Sequence, residues 1–127
     1  MGYRSEVVLV VGKEVMPQFM VTMAKSPEAR ALCFAEATRH ENYEEKGNML
    51  FAWDGIKWYD SFEEIRAIED FLDWCDSEDV PSQDAKGERV DGDECYRFVR
   101  IGEDMSDVEE RGWAYSCEIG VRRELDY

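Results

Sequence analysis

No hydrophobic run in this 127-residue chain approaches the roughly 20 residues that a membrane-spanning helix needs. The apolar run VVLVV at residues 7–11 is too short for the core of a typical signal peptide. Charged Lys13 and Glu14 follow it, where a signal peptide would place small residues before its cleavage site. We therefore expect a cytoplasmic protein that does not contact a membrane.

The sequence also has few residues that bind metals or form disulfides. The four cysteines are far apart, so the chain has no CxxC motif of a metal or redox site. Each lies in an apolar pattern, and we expect reduced, partly buried thiols at Cys33, Cys75, Cys95 and Cys117. The single histidine, His40, lies in a polar stretch and is interpreted as solvent-exposed.

Motifs for catalysis are absent as well: there is no nucleophile motif and no glycine-rich phosphate loop. The acidic turn at residues 102–107 holds three carboxylates, but their spacing differs from that of an EF-hand calcium loop. We interpret it as a solvated turn, close enough in sequence to pair with Arg97 and Arg100. With 30 acidic residues in the chain, carboxylate pairs say little about acid–base catalysis. We expect a protein without enzymatic activity, cofactor or metal.

Basic residues are scarce in the second half of the chain. Residues 1–59 hold 8 acids and 7 bases, a net charge of −1, whereas residues 60–127 hold 22 acids and 8 bases, a net charge of −14. Such asymmetry indicates either a basic partner or a solubilising surface. Direct nucleic-acid binding would need the opposite sign of charge, so we expect none.

Hydrophobic periodicity predicts alternating strands and helices in the first half. The β-branched run in residues 4–11 is typical of a central strand. Helical spacing follows over residues 14–24 and 27–38, and a Ser-Pro pair indicates the start of the second helix. Alternatively, the two segments form one kinked helix. Polar residues 39–48 predict a connection.

The segment MLFAWDGIKWY, residues 49–59, predicts a β-hairpin. Its Asp54-Gly55 pair suits a type I′ turn, because that turn needs positive φ at both central residues. The turn would place five apolar side chains on one face of the hairpin: Met49, Phe51, Trp53, Ile56 and Trp58.

A helix is predicted over residues 61–77. Ser61 and Glu64 match a capping box at its start. An apolar stripe follows at i, i+3 and i+4 spacing, formed by Phe62, Ile65, Ile68, Phe71, Leu72 and Cys75.

The last third predicts an exposed loop and a second hairpin. Residues 80–94 are rich in turn formers and poor in apolar residues, which is typical of an exposed loop. Alternation predicts strands over residues 95–101 and 113–123, paired as a hairpin, with a loop or a single helical turn between them.

These elements predict one domain, residues 1–127, of the α+β class. The expected architecture is a two-layer sandwich: an antiparallel sheet of about five strands with helices on one face, a variant of the split βαβ or ferredoxin-like arrangement. The same elements with a different strand order are the alternative.

The acids of the helical segment are the candidate functional residues. Residues 60–79 hold nine acids and one base, and several acids lie at the C-terminal end of the helix, where the helix dipole disfavours them. Because these acids lower the stability of their own helix, they indicate that the charge has a role other than stabilising the fold. The predicted partner-binding residues are Glu63, Glu69, Asp70, Asp73, Asp76, Glu78, Asp79, Glu103, Asp104 and Asp107.

Three segments, MGYRSEVVLVV, WYDSFEEIRAIEDFL and YRFVRIGEDMSDVEERG, together about 45 residues, resemble small hypothetical proteins of tailed phages and prophages. The resemblance implies a phage origin but no established activity and no functional residues. Small phage proteins that are not virion parts often block host defence, and several anti-CRISPR and anti-restriction proteins are acidic. That link is an analogy between classes of protein.

Charge and resemblance together favour a phage-encoded inhibitor that acts in the host cytoplasm. Its expected partner is the basic nucleic-acid-binding groove of a host defence protein, which the acids would occupy by mimicking nucleic acid. A small-ligand-binding protein is one alternative. A structural or accessory phage protein, acting through sheet-edge pairing or as a homodimer, is the other.

Overall fold

A computed structural model describes residues 2–43, 47–104 and 106–114. Its three α-helices are α1 (Met16–Lys25), α2 (Pro27–Phe34) and α3 (Glu63–Ser77). Its seven strands are β1 (Ser5–Val11), β2 (Arg39–Asn42), β3 (Met49–Ile56), β4 (Asp79–Pro81), β5 (Arg89–Asp91), β6 (Tyr96–Gly102) and β7 (Val108–Arg111). A short 3₁₀ turn at Gly92–Glu94 leads into β6.

Five strands form one antiparallel sheet in the order β2-β3-β1-β6-β7, and β4 pairs with β5 in a separate two-stranded sheet. The α+β class and the five-stranded antiparallel sheet are thus confirmed. β1 lies at the centre, between β3 and β6, as its β-branched composition predicted. No helix in the described ranges is long and apolar enough to cross a membrane.

The core lies between the helices and one face of the sheet. β1 contributes Val7, Leu9 and Val11 to this face, opposite Trp53, Phe51 and Met49 of β3. The helices contribute Phe19, Met23, Leu32, Ile65, Ile68, Phe71 and Leu72. The opposite face of the sheet also buries side chains, namely Val10, Leu50 and Val99, which explains the nearly continuous apolar run in β1.

The predicted hairpin turn at Asp54-Gly55 is wrong, because β3 continues through both residues. Ser5 pairs with Ile56 and Val7 with Trp53, so β3 contains one extra residue, a β-bulge. Gly55 has the predicted positive φ, at 68°, and its carbonyl accepts a hydrogen bond from Arg4 Nη1 at 2.6 Å. The left-handed glycine was recognised correctly, but it serves a bulge instead of a turn.

The predicted capping box is also wrong. α3 begins at Glu63 with Phe62 as its N-cap residue, and no side chain caps it. Instead, the Phe62 amide donates to the Tyr59 carbonyl at 3.0 Å, so a backbone turn precedes the helix. The buried stripe of α3 is confirmed except for Phe62, which is exposed.

The boundary between α1 and α2 matches the prediction of two helices. Ser26 Oγ accepts a hydrogen bond from the Ala29 amide at 3.2 Å, and Pro27 occupies the first turn of α2. α2 ends at Phe34, four residues earlier than predicted.

Two strands of the five-stranded sheet lie where the sequence predicted none. β2, with sequence RHEN, is an exposed edge strand in the predicted polar connection, and β7, with sequence VEER, lies in the predicted acidic loop. β7 pairs with β6 and so takes the position expected for residues 113–123. The part of that prediction at residues 115–123 lies outside the described residues, as does Cys117.

The predicted loop at residues 80–94 contains β4, β5 and the 3₁₀ turn, because Val80 packs into the core and pairs with Val90. Cys33, Cys75 and Cys95 are buried free thiols, as expected. Burial raises the pKa of Cys33 to about 12, which keeps it in the thiol form at neutral pH. His40 is exposed, but its ring stacks on Phe51 at a centroid distance of 5.1 Å.

Candidate functional site

One flank of α3 forms ion pairs with the β6–β7 edge of the sheet. Glu69, Asp73 and Asp76 recur at i, i+4 and i+7, so their carboxylates share one side of the helix. Arg111, opposite Phe98 in the sheet, lies on the helix-facing side of β7. Its Nη2 is 2.8 Å from Asp73 Oδ1 and 2.8 Å from Asp76 Oδ2, and its Nη1 is 3.5 Å from Glu69 Oε2.

A second arginine extends this layer along β6. Arg100 Nη2 donates to Asp107 Oδ1 at 2.7 Å, and its Nε donates to Glu109 Oε1 at 3.2 Å. Arg100 Nη1 also donates to Ser5 Oγ at 3.2 Å. The sequence-based pairing of Arg100 with the acidic turn is thus confirmed. We call this set the ion-pair seam: Glu69, Asp73, Asp76, Asp107 and Glu109 with Arg100 and Arg111.

Acid exceeds base within the ion-pair seam. Five carboxylates and two guanidiniums give it a formal charge of −3. Burial would lower the pKa of Arg111, but hydrogen bonds to Asp76 and Asp73 outweigh burial and raise the pKa. The hydrogen bond to Asp107 raises the pKa of Arg100. Burial, and then the nearby charge of Glu109, raise the pKa of Glu69.

Asp76 has a further structural role. The hydroxyl of Tyr96, a fully buried side chain of β6, donates to Asp76 Oδ1 at 2.7 Å. Burial and this hydrogen bond raise the pKa of the Tyr96 phenol. Asp76 therefore connects the end of α3 to both Tyr96 and Arg111, and it helps to fix the helix on the sheet.

Three acids in α3 or at its C-cap lie away from the seam. The side chains of Glu63, Asp70 and Glu78 are exposed and form no ion pair with any described residue. We call these three the outer acids. Asp79 lies just beyond the helix, opposite Asp91 in the β4–β5 pair. The hydrogen bond with Asp79, and then its charge, raise the pKa of Asp91.

The remaining predicted site residues belong to the turn before β7. Glu103 accepts a hydrogen bond from the Arg4 amide at 2.6 Å, and Asp104 Oδ1 accepts from the Ser106 amide at 3.0 Å. Arg97, expected near this turn, instead forms an ion pair with Glu110 on the opposite face of the sheet. No group of side chains suited to a metal occurs in the described part of the chain.

The structure thus separates ten predicted residues into different environments. It brings Glu69, Asp73, Asp76 and Asp107 into the ion-pair seam, and it leaves the outer acids apart. Sequence reasoning missed Arg111. The signal was the two-residue spacing of Glu109 and Arg111, which places both side chains on one face once VEER is recognised as a strand.

Comparisons with protein-family models, with curated proteins and with solved structures find no match for this chain. The fold and the site define an acidic α+β protein with two sets of carboxylates on one helix. The carboxylates of one set pair with Arg111 of β7, and those of the other set are exposed without a counterion among the described residues.

Proposed function

We propose that the protein is a phage-encoded inhibitor that binds the basic, nucleic-acid-binding surface of a host defence protein. The observation that supports the proposal most directly is the set of outer acids, which are exposed and have no internal counterion among the described residues. Carboxylates of this kind lose no intramolecular ion pair when they meet a basic partner. Opposite charges on two surfaces steer encounter and favour the correct partner.

The spacing of charge supports partial mimicry of nucleic acid. From Glu63 to Glu78, α3 rises by roughly 22 Å. Duplex DNA of that length carries about 13 charges, more than α3 provides by itself. Further exposed acids follow directly in the β4–β5 pair and the turn after it, at Asp79, Glu88, Asp91 and Glu94. The Gly92 amide donates to the Glu78 carbonyl at 2.7 Å, which joins this second group to the end of α3.

The test is capture of partners from a bacterial host lysate at about 50 mM and about 200 mM salt, since screening weakens contacts between exposed charges over this range. We expect a nucleic-acid-binding protein of a defence system to be retained more strongly at the lower salt concentration. Duplex DNA or guide RNA should compete for it, and the purified partner should lose its nuclease activity when this protein is added. A captured partner whose nucleic-acid binding and activity are unchanged would contradict the proposal.

A further inference from the structure

A cavity of about 610 Å³ lies between the start of α3 and the β6–β7 edge of the sheet. Three aromatic side chains and four carboxylates line it, together with one basic residue, Arg100. The aromatic residues are Tyr3, Trp58 and Tyr59, and the carboxylates are Asp60, Glu69, Asp107 and Glu109. Four carboxylates and one guanidinium give this part of the described surface a formal charge of −3.

The cation in the cavity wall is already engaged. Arg100 donates to Asp107, Glu109 and Ser5. Glu69 has only a distant contact with Arg111, at 3.5 Å, and Arg111 is closer to two other carboxylates. Glu69 is also half-buried, with a side chain that is 23% exposed. A half-buried carboxylate with such weak compensation would be stabilised by a cation that enters the cavity.

Packing holds the aromatic walls in place. The Trp58 ring contacts Trp53 and Phe98 at centroid distances of 5.7 and 5.5 Å, and Tyr59 contacts Phe62 at 5.2 Å. Rigid aromatic faces beside carboxylates suit a guanidinium, which stacks on rings and forms paired hydrogen bonds with a carboxylate.

Trp58 also has an unused hydrogen-bond donor. Its Nε1 is buried without a hydrogen-bond partner, alone among the buried side-chain nitrogen and oxygen atoms that the structure describes. An unpaired buried donor is costly, and the side chain that carries it lines the cavity. An arginine side chain supplies the cation that Glu69 lacks and a planar group that stacks on an aromatic wall.

We infer that this cavity is a socket for an arginine side chain of the basic partner. The inference rests on the proposed function and names the part of the partner that the protein holds. The outer acids would attract the basic surface, and the socket would fix one of its side chains. The two roles use different residues, so they can be tested separately.

The first experiment uses N-acetyl-arginine amide as the probe and follows the tryptophan indole N–H signals by NMR. The Trp58 signal is assigned from the spectrum of Trp58→Phe. We expect the probe to shift the Trp58 signal in a saturable way. Glu69→Gln should weaken binding about tenfold, because one charged hydrogen-bond partner is lost while the shape is kept. The matched control is Glu6→Gln, which removes the same charge from an exposed site on the opposite face of β1.

The outcomes separate the alternatives. Equal weakening by Glu69→Gln and Glu6→Gln would show that only net charge attracts the probe, and would overturn the socket. Saturable binding of spermidine without binding of the arginine probe would overturn the assignment to a protein side chain. No shift with either probe would overturn the cavity as a cation site. A shift that Glu69→Gln abolishes would support the socket even if no host partner were captured, in which case only the proposed function would fail.

Discussion

Two sets of acids on α3 have the same chemistry and different environments. Asp73 and Asp76 lie 2.8 Å from the Arg111 guanidinium, whereas Asp70 and Glu63 are exposed and form no ion pair with a described residue. The position of Arg111 separates them, because its guanidinium reaches Asp73 and Asp76 and no described base lies within ion-pair distance of Asp70 or Glu63. Acid content alone therefore does not identify a binding surface. An exposed acid loses least when it meets a partner if the fold has not already provided its counterion.

The largest effect should come from removing the counterion of the ion-pair seam. Arg111→Met leaves Glu69, Asp73 and Asp76 close together without a cation. We expect a loss of about 2 kcal/mol in the free energy of unfolding, less than for a fully buried pair because Asp73 and Asp76 are partly exposed. Urea unfolding of the variant and of wild type at pH 7 measures this loss.

The matched control for that change is Arg66→Met. Arg66 is an exposed arginine of α3 that forms no ion pair with a described residue, so its loss should change stability by less than about 0.5 kcal/mol. Equal effects of the two variants would show that the seam contributes nothing specific to stability.

A smaller difference should separate two acids of α3. Asp76→Asn weakens the contact with Arg111 and the hydrogen bond from Tyr96, and should cost about 1 kcal/mol. Asp70→Asn should have almost no effect on unfolding, because Asp70 is exposed and unpaired within the described chain. If Asp70→Asn proved as destabilising as Asp76→Asn, the division between seam and outer acids would be wrong.

The stability of the protein should also depend on pH through Glu69. Its pKa is raised in the folded state, so folding favours the protonated carboxyl group. Protonated Glu69 therefore stabilises the folded protein, and this stabilisation is lost as the pH rises through the raised pKa. Glu69→Gln imitates the protonated form. The variant should gain stability relative to wild type at pH 7, and the gain should vanish as pH falls towards the ordinary value of about 4.3. Thermal unfolding at both pH values tests this, and a gain that grows on acidification would contradict it.

The smallest effect is expected in the β4–β5 pair. Asp91→Asn removes the like charge opposite Asp79, so at neutral pH the amides of Val80 and Val90 should exchange more slowly with solvent. Because the pKa of Asp91 is raised, wild type should become equivalent to the variant as Asp91 is protonated on acidification. Unchanged exchange at neutral pH would mean that the two carboxylates do not repel each other appreciably.

The sequence predicted those elements that bury a regular apolar pattern. The central strand β1, the stripe of α3 and the strand β6 all have such a pattern. β2 and β7 were missed because each is a four-residue edge strand whose exposed or ion-paired side chains show no apolar alternation. Asp54-Gly55 was misassigned because a left-handed glycine suits a turn and a bulge equally well.

The candidate site was predictable only as a list of acids. Their division depends on Arg111, which reaches Asp73 across 38 residues of sequence. That distance is bridged by the pairing of β6 with β7 and by the packing of α3 on the sheet, neither of which local patterns encode. Charge reversal at Asp73 and Asp76, two of the predicted partner-binding residues, would therefore disturb their contacts with Arg111. Reversal at outer acids is the better test.

The most direct test of the outer acids as a binding surface compares two variants, each with two charge reversals. Asp70→Lys with Glu78→Lys changes outer acids and should leave the fold intact, since a base at the end of α3 also suits the helix dipole. Glu6→Lys with Glu36→Lys makes the same change in net charge at exposed sites outside α3. At about 50 mM salt, we expect the first protein to bind the captured partner about tenfold more weakly than the second, with a smaller salt dependence. Equal affinity of the two proteins for that partner would contradict the claim that the outer acids form the binding surface.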